Sequence, residues 1–136
     1  MSKIYLDANI LIDLALETRQ CHKIAIDTLK RHISNGSIFV TSGLNLNTLF
    51  FIVADRAKEY EKAKRFIKMV LDSTFWEIYD ITTNDLKVAI ELMDKYVNAD
   101  FEDLQQYIVA KNSGCDIIIS NDKGFLNFDI KIQRLN

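Results

Sequence analysis

The chain has 136 residues, of which 49% are apolar and 26% charged, a balance that suits one compact soluble domain and excludes a disordered tail. The formal net charge of −2 argues against a basic protein that coats duplex DNA, while leaving room for a local basic face. Two cysteines, Cys21 and Cys115, stand far apart without zinc-site spacing and make no disulfide framework, so reduced thiols in a cytoplasmic protein are expected.

The N-terminal run "KIYL" (3–6) is short, β-prone and apolar almost throughout. Asp7 follows it at once, and "ANILIDLALETRQ" (8–20) reads as a helix. Asp7 and Asp13 interrupt the apolar opening and only Lys3 precedes it, so neither a signal peptide nor a membrane span is expected. "CHKIAIDTLKRHIS" (21–34) repeats Ile24, Ala25, Leu29 and Ile33 at helical spacing, and "NG" at 35–36 stops that helix. His22 and His32 belong to it as half-buried or solvated residues rather than zinc ligands.

"SIFVTS" (37–42) reads as a strand, and "GLNLNTLFFIVADRAKEY" (43–60) as a helix capped by Thr41 or Ser42. Within it "LFFIV" (49–53) reads as core. "EKAKRFIKMVLDS" (61–73) is an amphipathic helix with Ala63, Phe66, Ile67, Val70 and Leu71 inward. "WEIYDI" (76–81) is a short strand, and residues 83–96 form a helix capped by Thr82 or Thr83. "DFEDLQQYIVAKNSG" (100–114) is a helix capped by Asp100 and closed by Gly114. "DIIISND" (116–122) is strand then loop, and "IKIQRL" (130–135) a final edge strand.

Strands alternate with helices of ten or more residues, which predicts βαβ crossovers and a mainly parallel sheet covered on both faces, a three-layer α/β/α sandwich. In such sheets ligands bind beyond the carboxyl ends of strands. Asp7 follows the first strand and Asp122 follows "DIIIS"; if those strands are neighbours, both carboxylates enter one crevice. Asp103 falls on the first turn of its helix. Acids gathered in this way need a counter-charge, and a hard divalent cation such as Mg²⁺ or Mn²⁺ supplies one. No glycine-rich phosphate loop is present. The rival of aspartyl phosphotransfer is weakened because Asn9 stands where a second acid would follow Asp7, and "IFVTS" ends in Thr41 and Ser42.

Three stretches carry a family resemblance. "IYLDANILID" resembles the opening strand and Asp-x-Asn of PIN domains; "DFEDLQQYIVAKNSGCDIIISND" resembles their acidic helix, glycine turn and buried strand; "SNDKGF" is similar to their Thr-Asn-Asp-x-x-Phe loop, with Ser120 in the threonine place. The order and spacing span almost the whole chain, read here as one PIN-like domain over residues 1–136, and within the family the VapC-type toxins of toxin–antitoxin modules are the nearest pattern. The resemblance implies Asp7, Asp103 and Asp122 as catalytic metal ligands. It makes Asn9, Asp100, Ser120 and Asn121 supporting residues. It further implies a Mg²⁺- or Mn²⁺-dependent endoribonuclease acting on single-stranded RNA or tRNA, a cognate antitoxin and a homodimer.

One departure stands out. The family places a glutamate early in the helix after the second strand, where this chain has Thr48, preceded by Asn47 and, one turn earlier, Asn45; Thr48 and Asn47 are kept as supporting residues, because a neutral oxygen can contact a metal or its water. A degenerate domain that binds RNA or an antitoxin without efficient cleavage is therefore the alternative reading. For substrate phosphates, Lys123 beside Asp122 is the first basic candidate. Lys62 and Arg65 follow, in a segment that also holds Arg56, Lys58, Lys64 and Lys68.

Overall fold

The computed structural model describes residues 2–123, 125 and 128–135; Gly124 of the loop motif lies outside the described residues. Among them, five strands form one sheet: β1 (Lys3–Leu6), β2 (Ile38–Ser42), β3 (Trp76–Tyr79), β4 (Ile117–Ile119) and β5 (Lys131–Gln133). Their order is β3-β2-β1-β4-β5, and every pairing is parallel. The expected three-layer sandwich is thus the observed one, and its sheet is parallel throughout. β1 is central: Tyr5 pairs with Val40 on one side and Ile118 on the other. After β2 and β3 the chain returns to the far side of β1 for β4, so the sheet reverses direction between β1 and β4.

Period-two alternation sorts the strand side chains into two cores. Ile4, Leu6, Phe39 and Ile119 face α1 (Ala8–Ala15), α2 (His22–Ser34), α3 (Gly43–Phe50) and α4 (Tyr60–Asp72). Tyr5, Val40 and Ile118 face α5 (Thr83–Lys95) and α6 (Phe101–Asn112). Burial on both faces explains why the central strands read as unbroken apolar runs.

The helix starts follow local chemistry. Asp7 accepts from the Ile10 amide at 3.0 Å and caps α1. Thr82 and Asp85 exchange bonds across the first turn of α5 in a reciprocal cap. Asp100 accepts from the Asp103 amide at 2.7 Å and caps α6. Gly36 and Gly114 take left-handed φ of +79° and +75° after α2 and α6, as their stop signals require.

Four expectations are corrected. The first helix ends at Ala15, not residue 20: Leu16 turns extended and buries its side chain. The helix expected over 43–60 is α-helical only to Phe50; residues 51–56 are a π-helix, with the Ala57 amide donating to the Ile52 carbonyl at 2.9 Å, and Lys58 at φ +58° separates it from α4. Within the amphipathic patterns, Leu71 and Ile24 are exposed rather than inward, as is Phe51 of the "LFFIV" core. The strands expected over 76–81 and 130–135 are shorter, at 76–79 and 131–133, while "DIIISND" is strand then loop as expected, with the strand at 117–119.

Both cysteines are free thiols; Cys115 is buried, and burial pushes its thiol up to about 12. Among the described residues no helix is long and apolar enough to cross a membrane.

Candidate active site

A pocket of about 200 Å³ opens where the sheet reverses, beyond the ends of β1 and β4. Asp7 enters from the end of β1, Asp103 from the first turn of α6 and Asp122 from the loop after β4. Asp100 and Glu102 add two more carboxylates, and Asn9 and Gln106 add amides. One end of one pocket therefore gathers acids that are 115 residues apart in sequence.

Asp7 is 4% exposed and is held from two sides. One oxygen accepts from the Ile10 amide, the other from the Ser120 hydroxyl at 2.5 Å. Burial raises its pKa, and the negative charge of Asp122 adds to the rise against these two bonds. Asp103 is 6% exposed, and its pKa is raised to about 7, first by burial and then by the charges of Asp100, Asp122, Glu102 and Asp7. These acids feel one another across the pocket.

Ser120, Asn121 and Asp122 are each tied down by hydrogen bonds. The Ser120 hydroxyl also accepts from the Asp122 amide at 3.1 Å. Asn121 accepts from the Leu135 amide at 2.7 Å, and its Nδ2 contacts Cys21 Sγ at 3.9 Å. Arg134 donates to the carbonyls of Ser120, at 3.0 Å, and Asp122. Below the pocket, Gln106 accepts from the Tyr5 hydroxyl at 3.1 Å. Asn45 Nδ2 reaches Tyr5 at 2.8 Å and Thr41 at 3.0 Å, and also the Leu6 carbonyl. Burial pushes the Tyr5 hydroxyl well above its ordinary range, so it stays a neutral donor.

Not every sequence candidate sits here. Asn9 is exposed on the pocket rim, while Ile10 and Ser120 supply the bonds to Asp7. Thr48 is half-buried with its hydroxyl on the Leu44 carbonyl at 3.2 Å; neither it nor the exposed Asn47 lines the pocket. Lys123 is exposed beside Asp122. Lys62 and Arg65 lie on α4, which packs on α3 and β3, and do not line the pocket either. Glu102, Gln106 and Arg134 were not singled out in the sequence. Glu102 had a signal, its place between two acids on a helix's first turn; Arg134 had none.

The donor set is carboxylate and amide oxygen, with neither imidazole nor thiolate, and it suits Mg²⁺ or Mn²⁺ rather than zinc. Among the described residues no three acids stand at direct-ligation spacing. Mg²⁺ characteristically keeps several of its waters and takes one or two carboxylates directly, which this wider arrangement accommodates.

The PIN domain family model matches residues 4–131. The chain belongs to this family. A VapC-type relative, Ribonuclease VapC1 of Aquifex aeolicus (strain VF5), is 33% identical over 131 residues, covering 96% of this chain and 88% of the relative. Solved structures share the PIN fold at lower identity. VapBC2 of Rickettsia felis, bound to a promoter DNA fragment, gives a TM-score of 0.70 at 15% identity, covering 97% of this chain and 98% of that one. VapC20 of Mycobacterium tuberculosis, a toxin that cleaves the sarcin–ricin loop, gives 0.67 at 18% identity, covering 85% and 86%. DNA-bound VapBC of Salmonella typhimurium gives 0.67 at 17% identity, covering 100% of both. In this chain β1 is the central strand of that fold, and Asp7 follows it directly.

Proposed function

We propose that this PIN domain is a divalent-metal-dependent endoribonuclease that hydrolyses single-stranded RNA or tRNA, as the cytoplasmic toxin of a toxin–antitoxin pair. The observation that carries the reading is the pocket in which Asp7, Asp103 and Asp122 converge from three elements. The ribonuclease relative supports the reaction class, and the toxin–antitoxin complexes among the fold's neighbours support a cognate antitoxin. A homodimer belongs to the same reading.

When bound, Mg²⁺ or Mn²⁺ supplies a water of lowered pKa and positive charge against the phosphodiester. Asp7, Asp103 and Asp122 would hold it, in part through its waters, with Asp100 and Glu102 adding negative charge at the rim. Ser120 fixes the rotamer of Asp7 and the backbone of Asp122 together, so the two strand-end acids keep one geometry. Asn9 and Asn121 would serve the rim and the loop, and Lys123, exposed beside Asp122, would meet a phosphate. Lys62 and Arg65, on α4 and outside the pocket, are candidates for phosphates farther along the strand.

Thr48 favours a second reading, binding without efficient cleavage, because it stands where the family has an acid. Against it, Glu102 supplies the pocket wall with a negative charge of its own. The test is cleavage of labelled single-stranded RNA with Mg²⁺, Mn²⁺ or EDTA, by wild type and Thr48→Glu. Cutting with either metal, absent in EDTA and changed less than about tenfold by Thr48→Glu, supports the nuclease. A silent wild type awakened by Thr48→Glu establishes the degenerate domain instead.

A further inference from the structure

A second cavity, of about 560 Å³, opens beside the carboxylate pocket and shares Asn9 and Asp122 with it. Its far wall is the turn between α1 and α2, and the chemistry there is opposite: Thr18, Arg19 and Gln20 offer hydrogen-bond donors. Among the described residues that line the two cavities, Arg19 is the one cation.

Arg19 is not a swinging surface charge. Its Nε donates to Asp13 Oδ1 at 2.8 Å, and Asp13 is 5% exposed on the inner side of α1. The turn is closed by the Arg19 amide on the Leu16 carbonyl and the His22 amide on the Arg19 carbonyl, both at 3.1 Å. His22 Nδ1 adds a 2.8 Å contact to the Asp13 carbonyl. A guanidinium anchored through Nε keeps further donors on its Nη edge, and the Arg19 side chain is 38% exposed and lines the cavity.

An RNA strand approaching five carboxylates meets repulsion on every phosphate that the metal does not neutralise. A planar, permanently charged donor fork at the adjoining end of the cleft is what the next phosphate needs. We infer that the second cavity is the subsite for the phosphate adjoining the scissile one, with Arg19 as its ligand and Asp13 as the residue that positions Arg19. The inference rests on the nuclease reading for the identity of the strand.

The test is binding of a short fluorescent single-stranded RNA, read by anisotropy with Ca²⁺ to offset the carboxylates and with the strand checked intact on a gel, across a series of salt concentrations. Arg19→Gln is expected to weaken binding roughly fivefold at low salt and to flatten the slope of log affinity against log salt by about 0.7, the value for one single-strand contact. Arg19→Lys recovers the slope but only part of the affinity, because a point charge replaces a fork. An Asp13→Asn/Arg19→Gln double variant keeps a neutral pair that closes the turn, and it binds as weakly as the single variant. Wild-type affinity and slope in a folded Arg19→Gln chain, or full binding by the double variant, overturn the subsite, as does a wild type that does not bind the RNA. Cleavage in Mg²⁺ separates the two claims. If the Arg19 dependence persists in a protein that never cuts, the subsite stands and the nuclease falls; if Arg19→Gln cuts with unchanged KM, the reverse holds.

Discussion

Asp7 answers to two local demands at once. It caps α1 through the Ile10 amide and turns its second oxygen to Ser120, so a residue that interrupts an apolar run is held in place by the elements on both sides of it. Ser120→Ala removes a donor from a buried carboxylate and an acceptor from the Asp122 amide. It is expected to destabilise the metal-free protein by about 1–3 kcal/mol, read as a lower urea midpoint at unchanged slope. Asp103 gives a pH prediction. An ordinary aspartate ionises near 3.8, and Asp103 in the fold near 7. Between those values the folded chain keeps a proton that the unfolded chain has released, so stability of the metal-free protein falls as pH rises through that window. A divalent ion competes with that proton. Mg²⁺ should therefore raise the melting temperature more at about pH 8 than at about pH 6; equal shifts would remove Asp103 from the metal site.

At the scale of elements, α6 carries most of the site: one helix presents Asp100, Glu102, Asp103 and Gln106, and its foot is anchored to the sheet through Tyr5. That anchoring passes through Asn45 of α3, which joins Tyr5, Thr41 and the end of β1. Asn45→Ala is expected to cost about 1–3 kcal/mol, and a double-mutant cycle with Tyr5→Phe to show coupling of about 0.5 kcal/mol or more, measured by denaturant unfolding. The sequence showed this scale unevenly. Unbroken apolar runs at 3–6 and 117–119 betrayed buried parallel strands, and Asp100, Thr82 and Gly114 announced helix ends through chemistry confined to a few residues. The π-helix at 51–56 and the break at Lys58 carry no such local mark, and periodicity across 43–60 reads straight through them. Arg19–Asp13 and Arg134–Ser120 were equally hidden, because each depends on where a turn or an edge strand comes to rest.

The whole molecule is organised around the reversal between β1 and β4. Placing β1 centrally puts Asp7 against the β4 loop, and the long path through α5 and α6 delivers Asp103 to the same edge. With a net charge of −2, the RNA binding proposed above would depend on local contacts and a metal rather than on the overall field. The homodimer reading gives a simple expectation, a light-scattering mass of about twice 15.7 kDa; a mass of 15.7 kDa at micromolar concentration would contradict it. The most direct measurement is the rate of single-stranded RNA cleavage by wild type and Asp7→Asn, purified identically and assayed with Mg²⁺ and with EDTA. Metal-dependent cutting is expected from wild type, with a loss of about 100-fold or more in an Asp7→Asn chain still folded by circular dichroism. Equal rates from the two proteins would show that the carboxylate pocket does not perform the reaction.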